Sequence, residues 1–230
     1  DVGHKIMNFI AIALILNAFL AGASYATYDS QWFQKYVTDR YSPQVQSALL
    51  PEASVKARDT FKSEPDQLWY IYEYFRGYLH GLENTHGTMS VGDAGSPGQV
   101  GFDAGLWHFQ DLLSTTNQPF TLVDFGYEPM TAAGTYVCEF ENSSFRPDGN
   151  NEDWWVDFQI GVIEAFLEKH PNEHPNLFDN RRSCTFNGFL SPDQVGFTGH
   201  MNQFDRDFII MEILEVGPEP STENLNVEIE

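Results

Sequence analysis

The chain is short of cysteine and of positive charge, and beyond residue 26 it holds no long apolar run. It has two cysteines, Cys138 and Cys184, in 230 residues. Two thiols cannot complete a structural zinc site without histidines, and no histidine stands at zinc-finger spacing. Lys and Arg number 12 against 33 Asp and Glu, a formal net charge of −21. Such a surface repels phosphate backbones, which excludes nucleic acid as a partner, and it argues against docking on anionic lipid. It suits a basic protein partner, divalent cations or solubility alone. Spanning a bilayer takes about 20 apolar residues, and no segment after residue 26 supplies them.

What the chain does have begins at residue 1. Asp1–Lys5 is short and polar, Ile6–Leu20 is almost wholly apolar, and Ala21-Gly22-Ala23-Ser24-Tyr25-Ala26 is mostly small. That pattern reads as a signal peptide over 1–26, cleaved after Ala26 or, alternatively, after Ala23. The competing reading is an uncleaved anchor, with the membrane as a partner only in that case. The first reading predicts a periplasmic or secreted protein, and the second a single-pass, membrane-anchored one. Residues 27–216 then form one exported domain. Residues 217–230, with Pro218, Pro220 and four glutamates, form a loose acidic tail. In an oxidising compartment an even cysteine pair reads as a disulfide, Cys138–Cys184. Closing a loop of about 45 residues contributes about 3–4 kcal/mol in the chain-entropy model.

The periodicity points to a mainly α fold with a small β-element around 120–140, after the N-terminal apolar helix. Ser42-Pro43 opens a helix, and Pro51 is expected to interrupt it. Ser63–Asn84 carries Leu68, Ile71, Tyr72, Phe75, Tyr78, Leu79 and Leu82 as one apolar stripe. Gly77 and Gly81 flank that stripe, and close approach of another element would offset their cost of about 1 kcal/mol each. Gly87–Gly101 reads as loop and Phe102–Leu113 as a short helix. Phe120–Tyr127 and Thr131–Phe140 read as strands, and Glu141–Asn151 as polar loop. Glu152–His170 reads as a second long helix, ended by Pro171, and Asn176–Phe189 as a further short one. Asp205–Val216 fits strand and helix equally.

Three groups of side chains invite chemistry. His80, Glu83 and His86 spell H-x-x-E-x-x-H, a candidate zinc set for a hydrolase, although the spacing matches neither H-E-x-x-H nor H-x-x-E-H. Asp148, Asn150, Glu152 and Asp153 place oxygen ligands in one loop, as calcium prefers, without the EF-hand's glycine and closing glutamate; they also serve as caps for a helix starting at Glu152. Trp69, Tyr70, Tyr74 and Trp154 fall on outward helical positions and form a candidate protein interface.

Gly77-Tyr78-Leu79-His80-Gly81-Leu82-Glu83 resembles the G-Y-x-x-G-x-x-[DE] helix of the Rap/Tai immunity-protein family. Phe166-Leu167-Glu168-Lys169-His170-Pro171 is similar to that family's L-x-x-H-P ending, and Cys184 stands where the family has its closing cysteine. The resemblance spans about 66–189. It implies a small, exported, helical, disulfide-bonded protein, and, for some members, a block on a cell-wall amidase effector. The chain departs from the family by an insertion over 87–135, by lacking a cysteine before the Gly-Tyr helix, and by its extent beyond Phe189.

The expectation is therefore a helical, exported, non-enzymatic binding protein without a cofactor, presenting acid to a basic protein partner, in one form an immunity-like inhibitor. A metal-dependent hydrolase using zinc or calcium and an anchored subunit of a membrane complex are the alternatives.

Overall fold

The computed structural model describes residues 30–85, 93–115, 120–139, 142–173, 181–193 and 204–217. The leader, His86 and all but Gly217 of the tail lie outside them. The chain divides into two compact units, one running to Leu82 and again to Gly126, the other starting at Glu83 and continuing from Tyr127.

The first unit is helical. Helix α1 (Ser30–Phe33) runs directly into a π-helical turn over Gln34–Thr38. Helix α2 (Pro43–Thr60) starts on Ser42, whose hydroxyl accepts from the Val45 N–H at 3.3 Å. Pro51 lies inside α2 and does not end it, contrary to the expected break. Helix α3 (Glu64–Glu83) is the predicted long helix, with Ser63 accepting from the Asp66 N–H at 3.3 Å. Its apolar stripe is buried throughout, and Tyr70 and Tyr74 are buried beside it. Helix α4 (Pro97–Ser114) begins inside the expected loop, because Ser96 caps the Gln99 N–H at 3.2 Å and Pro97 fits a first helical turn. Glycines bring α3 and α4 together. A Cβ on Gly77 would overlap the Phe102 carbonyl oxygen, and one on Gly101 or Gly105 that of Tyr70 or Tyr74. The strand expected over 120–127 is instead a 3₁₀ turn, Leu122–Phe125. Thr121 and Asp124 cap it reciprocally, and Gly126 ends it at φ +87°.

The second unit overturns the mainly helical expectation, because it is a closed five-stranded barrel. Its strands are β1 (Glu128–Glu139), β2 (Asn142–Pro147), β3 (Trp154–Phe158), β4 (Arg182–Leu190) and β5 (Asp207–Val216), in the order β1-β2-β3-β5-β4. Strands β3 and β5 run parallel, and every other pair is antiparallel. The predicted helix over 152–170 splits. Trp154, Val156 and Phe158 take strand geometry, Gly161 turns the chain at φ +89°, and only α5 (Val162–Lys169) is helical. The helix expected over 176–189 gives way to β4, where Cys184, Phe186 and Leu190 alternate inward. Tyr136, Phe145, Trp154, Phe186 and Phe208 fill the barrel, and Val162 and Phe166 of α5 join the same core.

Both cysteines are free thiols. Cys184 pairs in register with Gly134, four residues along β1 from Cys138. At about 3.3 Å per residue that offset is about 13 Å, beyond the Cα separation of about 7 Å that a disulfide tolerates. In this fold the two cysteines expected to bridge, Cys138 and Cys184, stand apart. No helix among the described residues is long and apolar enough to cross a membrane.

Candidate functional site

Strand β5 should alternate inward and outward side chains, and twice it does not. Asn187 of β4 faces Glu212 while Gly188 faces Ile210, which leaves Met211 without a partner. Thr185 faces Glu215 while Phe186 faces Ile213, which leaves Leu214 unpartnered in the same way. Each bulge sets two neighbouring residues outside the barrel. Met211 is 37% and Leu214 44% exposed, and Glu212 and Glu215 are exposed beside them, while Ile213 points into the core. The result is a ledge of two apolar–acidic pairs.

Beside the ledge, between β5 and α5, runs a groove of about 570 Å3. Ile160, Gly161, Ala165 and Lys169 line one side, Met211 and Glu212 the other. Ile160 is 51% exposed. A chain of polar contacts holds the acid in place. Thr131 Oγ1 donates to Asn187 Oδ1 at 2.5 Å, Asn187 Nδ2 donates to Glu212 Oε2 at 3.2 Å, and Lys169 Nζ stands 3.6 Å from Glu212 Oε1.

The charge imbalance resides mainly in this unit. Its described residues carry fifteen acidic side chains and five basic ones, against ten and six in the helical unit. Arg146 pairs with Asp153, Lys169 with Glu212 and Arg206 with Asp193.

The helical unit holds a second polar cluster. The Tyr74 hydroxyl and His108 Nδ1 share a hydrogen bond of 2.6 Å, Glu52 Oε2 is 3.7 Å from the same nitrogen, and Lys56 pairs with Glu52 at 2.7 Å. The cluster ties α2, α3 and α4. Burial, with the charge of Glu52 nearby, pushes the Tyr74 phenol far up, so the hydroxyl stays a neutral donor. Burial also pushes the phenols of Tyr70, Tyr72 and Tyr78 up to about 12, from 10.0. The unfolded chain thus releases these protons first, and stability that is intact below pH 10 falls as the pH rises toward 12. Alkaline titration should unfold the helical unit with the last phenolates appearing together with the loss of helical circular dichroism. Complete conversion to phenolate while the helix signal is intact would contradict the burial.

The side chains singled out from sequence are distributed differently. Tyr74 is fully buried, Tyr70 and Trp154 nearly so, and Trp69 is half-buried. Of the expected interface of Trp69, Tyr70, Tyr74 and Trp154, the last three are thus core: α3 is covered nearly all round, and Trp154 belongs to a strand and packs inside the barrel near Phe145 and Phe208. His80 lies beside the Phe102 ring at 5.5 Å, and Glu83 Oε1 accepts from the Tyr127 hydroxyl at 2.6 Å. His86, the third member of that zinc set, falls outside the described residues, among which no three metal-ligating side chains gather. Asp148, Asn150, Glu152 and Asp153 cap no helix and instead turn β2 into β3. Both Asp153 oxygens accept from Arg146 at 2.7 Å, and Asn150 Oδ1 accepts from the Glu152 N–H at 3.1 Å. The ledge escaped the sequence reading. Its one trace is Met-Glu-Ile-Leu-Glu-Val, which follows neither a strand nor a helix period because two bulges interrupt it.

A five-stranded Greek-key barrel is the architecture of the OB-fold, which serves oligonucleotide and oligosaccharide binders alike, and architecture alone assigns no function. Here the acidic excess opposes the first of those uses. Compared with family models, curated proteins and solved structures, the chain matches none.

Proposed function

We propose that the chain is an exported, non-enzymatic binding protein whose barrel engages a basic protein partner. The observation that carries this reading is the threefold acidic excess of the barrel unit. Closure of the barrel supports it further. With β1 paired to both β2 and β4, and β5 between β3 and β4, each described strand has a neighbour on both sides, which disfavours the addition of a partner's strand. A partner is engaged through outward side chains, and the charged ones among them are predominantly acidic. Export rests on the leader read in residues 1–26. The narrower immunity-type role rests on the Gly77–Glu83 helix alone, since the rest of the resembling segment includes barrel strands.

Capture from a periplasmic fraction followed by reconstitution with the purified partner tests this. The partner should be basic, and the complex should weaken about tenfold or more as salt rises from about 50 to about 300 mM, as opposed charges require. Capture of only salt-insensitive partners would reject the reading.

A further inference from the structure

We propose that the β5 ledge and the groove beside α5 form the docking surface for an amphipathic segment of a basic protein. This rests on the function proposed above and adds to it the place and the chemistry of the contact.

Three observations converge. First, the large apolar side chains most exposed among the described residues of the barrel unit are Ile160, Met211 and Leu214, and all three stand here. Ile160 and Met211 face across the groove, and Leu214 extends the row along the strand. Exposed apolar side chains gathered in one place mark an interaction site rather than ordinary surface. Second, the bulges put a carboxylate next to each apolar residue on the strand, Glu212 beside Met211 and Glu215 beside Leu214. Bulges recur where a fold re-aims side chains for function. Third, the one cation lining the groove among the described residues is weakly placed. Lys169 is 67% exposed and 3.6 Å from Glu212, whereas Asn187 holds that carboxylate from the strand side. Glu212 is therefore oriented in advance, with a displaceable partner, and an incoming guanidinium can take it in bidentate fashion.

The groove has the volume of a ligand pocket, yet it lies open beside the strand, with exposed Ile160, Lys169, Met211 and Glu212 around a floor of buried Val162, Phe166 and Ile213. That shape suits a stretch of peptide presenting apolar and basic groups on one face, as in helix-in-groove recognition.

Isothermal titration of the full chain with a synthetic peptide of about 14 residues, carrying Leu and Arg on one helical face, tests the site. A second peptide replaces each Leu by Ser and keeps every Arg. The first should bind at least tenfold more tightly than the second. M211S/L214S should cost the first peptide at least tenfold, and E212Q/E215Q about fivefold with a flatter salt dependence. Lys169→Ala should tighten binding about threefold, because it removes the competing cation. All these side chains are exposed or at the rim, and an unchanged melting temperature confirms that each variant folds. Equal binding of the two peptides, or wild-type affinity in M211S/L214S, would overturn the site and leave the basic-partner reading standing. Failure of both peptides to bind at low salt would overturn both.

Discussion

Replacing Gly105 by alanine should melt the helical unit well below the wild-type temperature, although alanine is the better helix former. Alanine gains about 1 kcal/mol in propensity. The new methyl, however, would overlap the carbonyl oxygen of Tyr74 and lie 3.0 Å from the backbone nitrogen of Tyr78. Neither atom belongs to a side chain that can turn away, so α3 and α4 must separate. Separation loosens the fit of Gly77 on Phe102 and of Gly101 on Tyr70, since all three contacts lie in one seam. Overpacking costs about 1–3 kcal/mol and sometimes more, and a rigid backbone collision belongs at the upper end. A net loss of about 2 kcal/mol remains after the gain in propensity, read as a lower thermal midpoint in the far-ultraviolet circular dichroism. A variant as stable as the wild type would mean that the two helices do not meet backbone to backbone.

Phe186→Ala should destabilise the barrel by about 3–5 kcal/mol, the usual cost of truncating a buried phenylalanine. The ring is fully buried, with its centroid 5.3 Å from that of Phe145, 5.8 Å from Phe158 and 6.0 Å from Tyr136. Those neighbours sit on three other stretches of strand, and closure holds each of them, so the cavity cannot collapse. Denaturant unfolding followed by tryptophan fluorescence reports the loss, with Trp154 in the same core. Phe186→Leu keeps most of the volume and should cost less than half as much. If the alanine variant lost under about 1 kcal/mol, position 186 would not be inside a packed barrel.

The helical unit was legible where one helix carries its own signals. The stripe from Leu68 to Leu82, the Ser42-Pro43 start and the flanking glycines are local features, and the structure uses each of them. The barrel was illegible for a physical reason. Trp155, Phe158, Val162 and Phe166 satisfy a 3.6-residue period across a break at Gly161, so a strand and a short helix read together as one long helix. In β4 the inward Cys184, Phe186 and Leu190 did alternate, but Asn187 and Gly188 weaken strand propensity between them. Outwardness of an aromatic, as expected for Tyr70 and Tyr74, depends on how many neighbours cover a helix, which its own sequence does not encode. The ledge is hidden further still. A bulge exists only relative to a partner strand, and Met211 and Leu214 become surface residues only once β4 fixes the register.

The position of β5 has a consequence for how the molecule matures. The last strand among the described residues, Asp207–Val216, lies between β3 and β4 and completes both ladders. Until it arrives, those two neighbours present raw edges and the aromatic interior stays open to water. The sheet can therefore seal only once the chain has been made through Val216. Until then this half of a nascent chain stays unsealed, with apolar surface that a chaperone can hold.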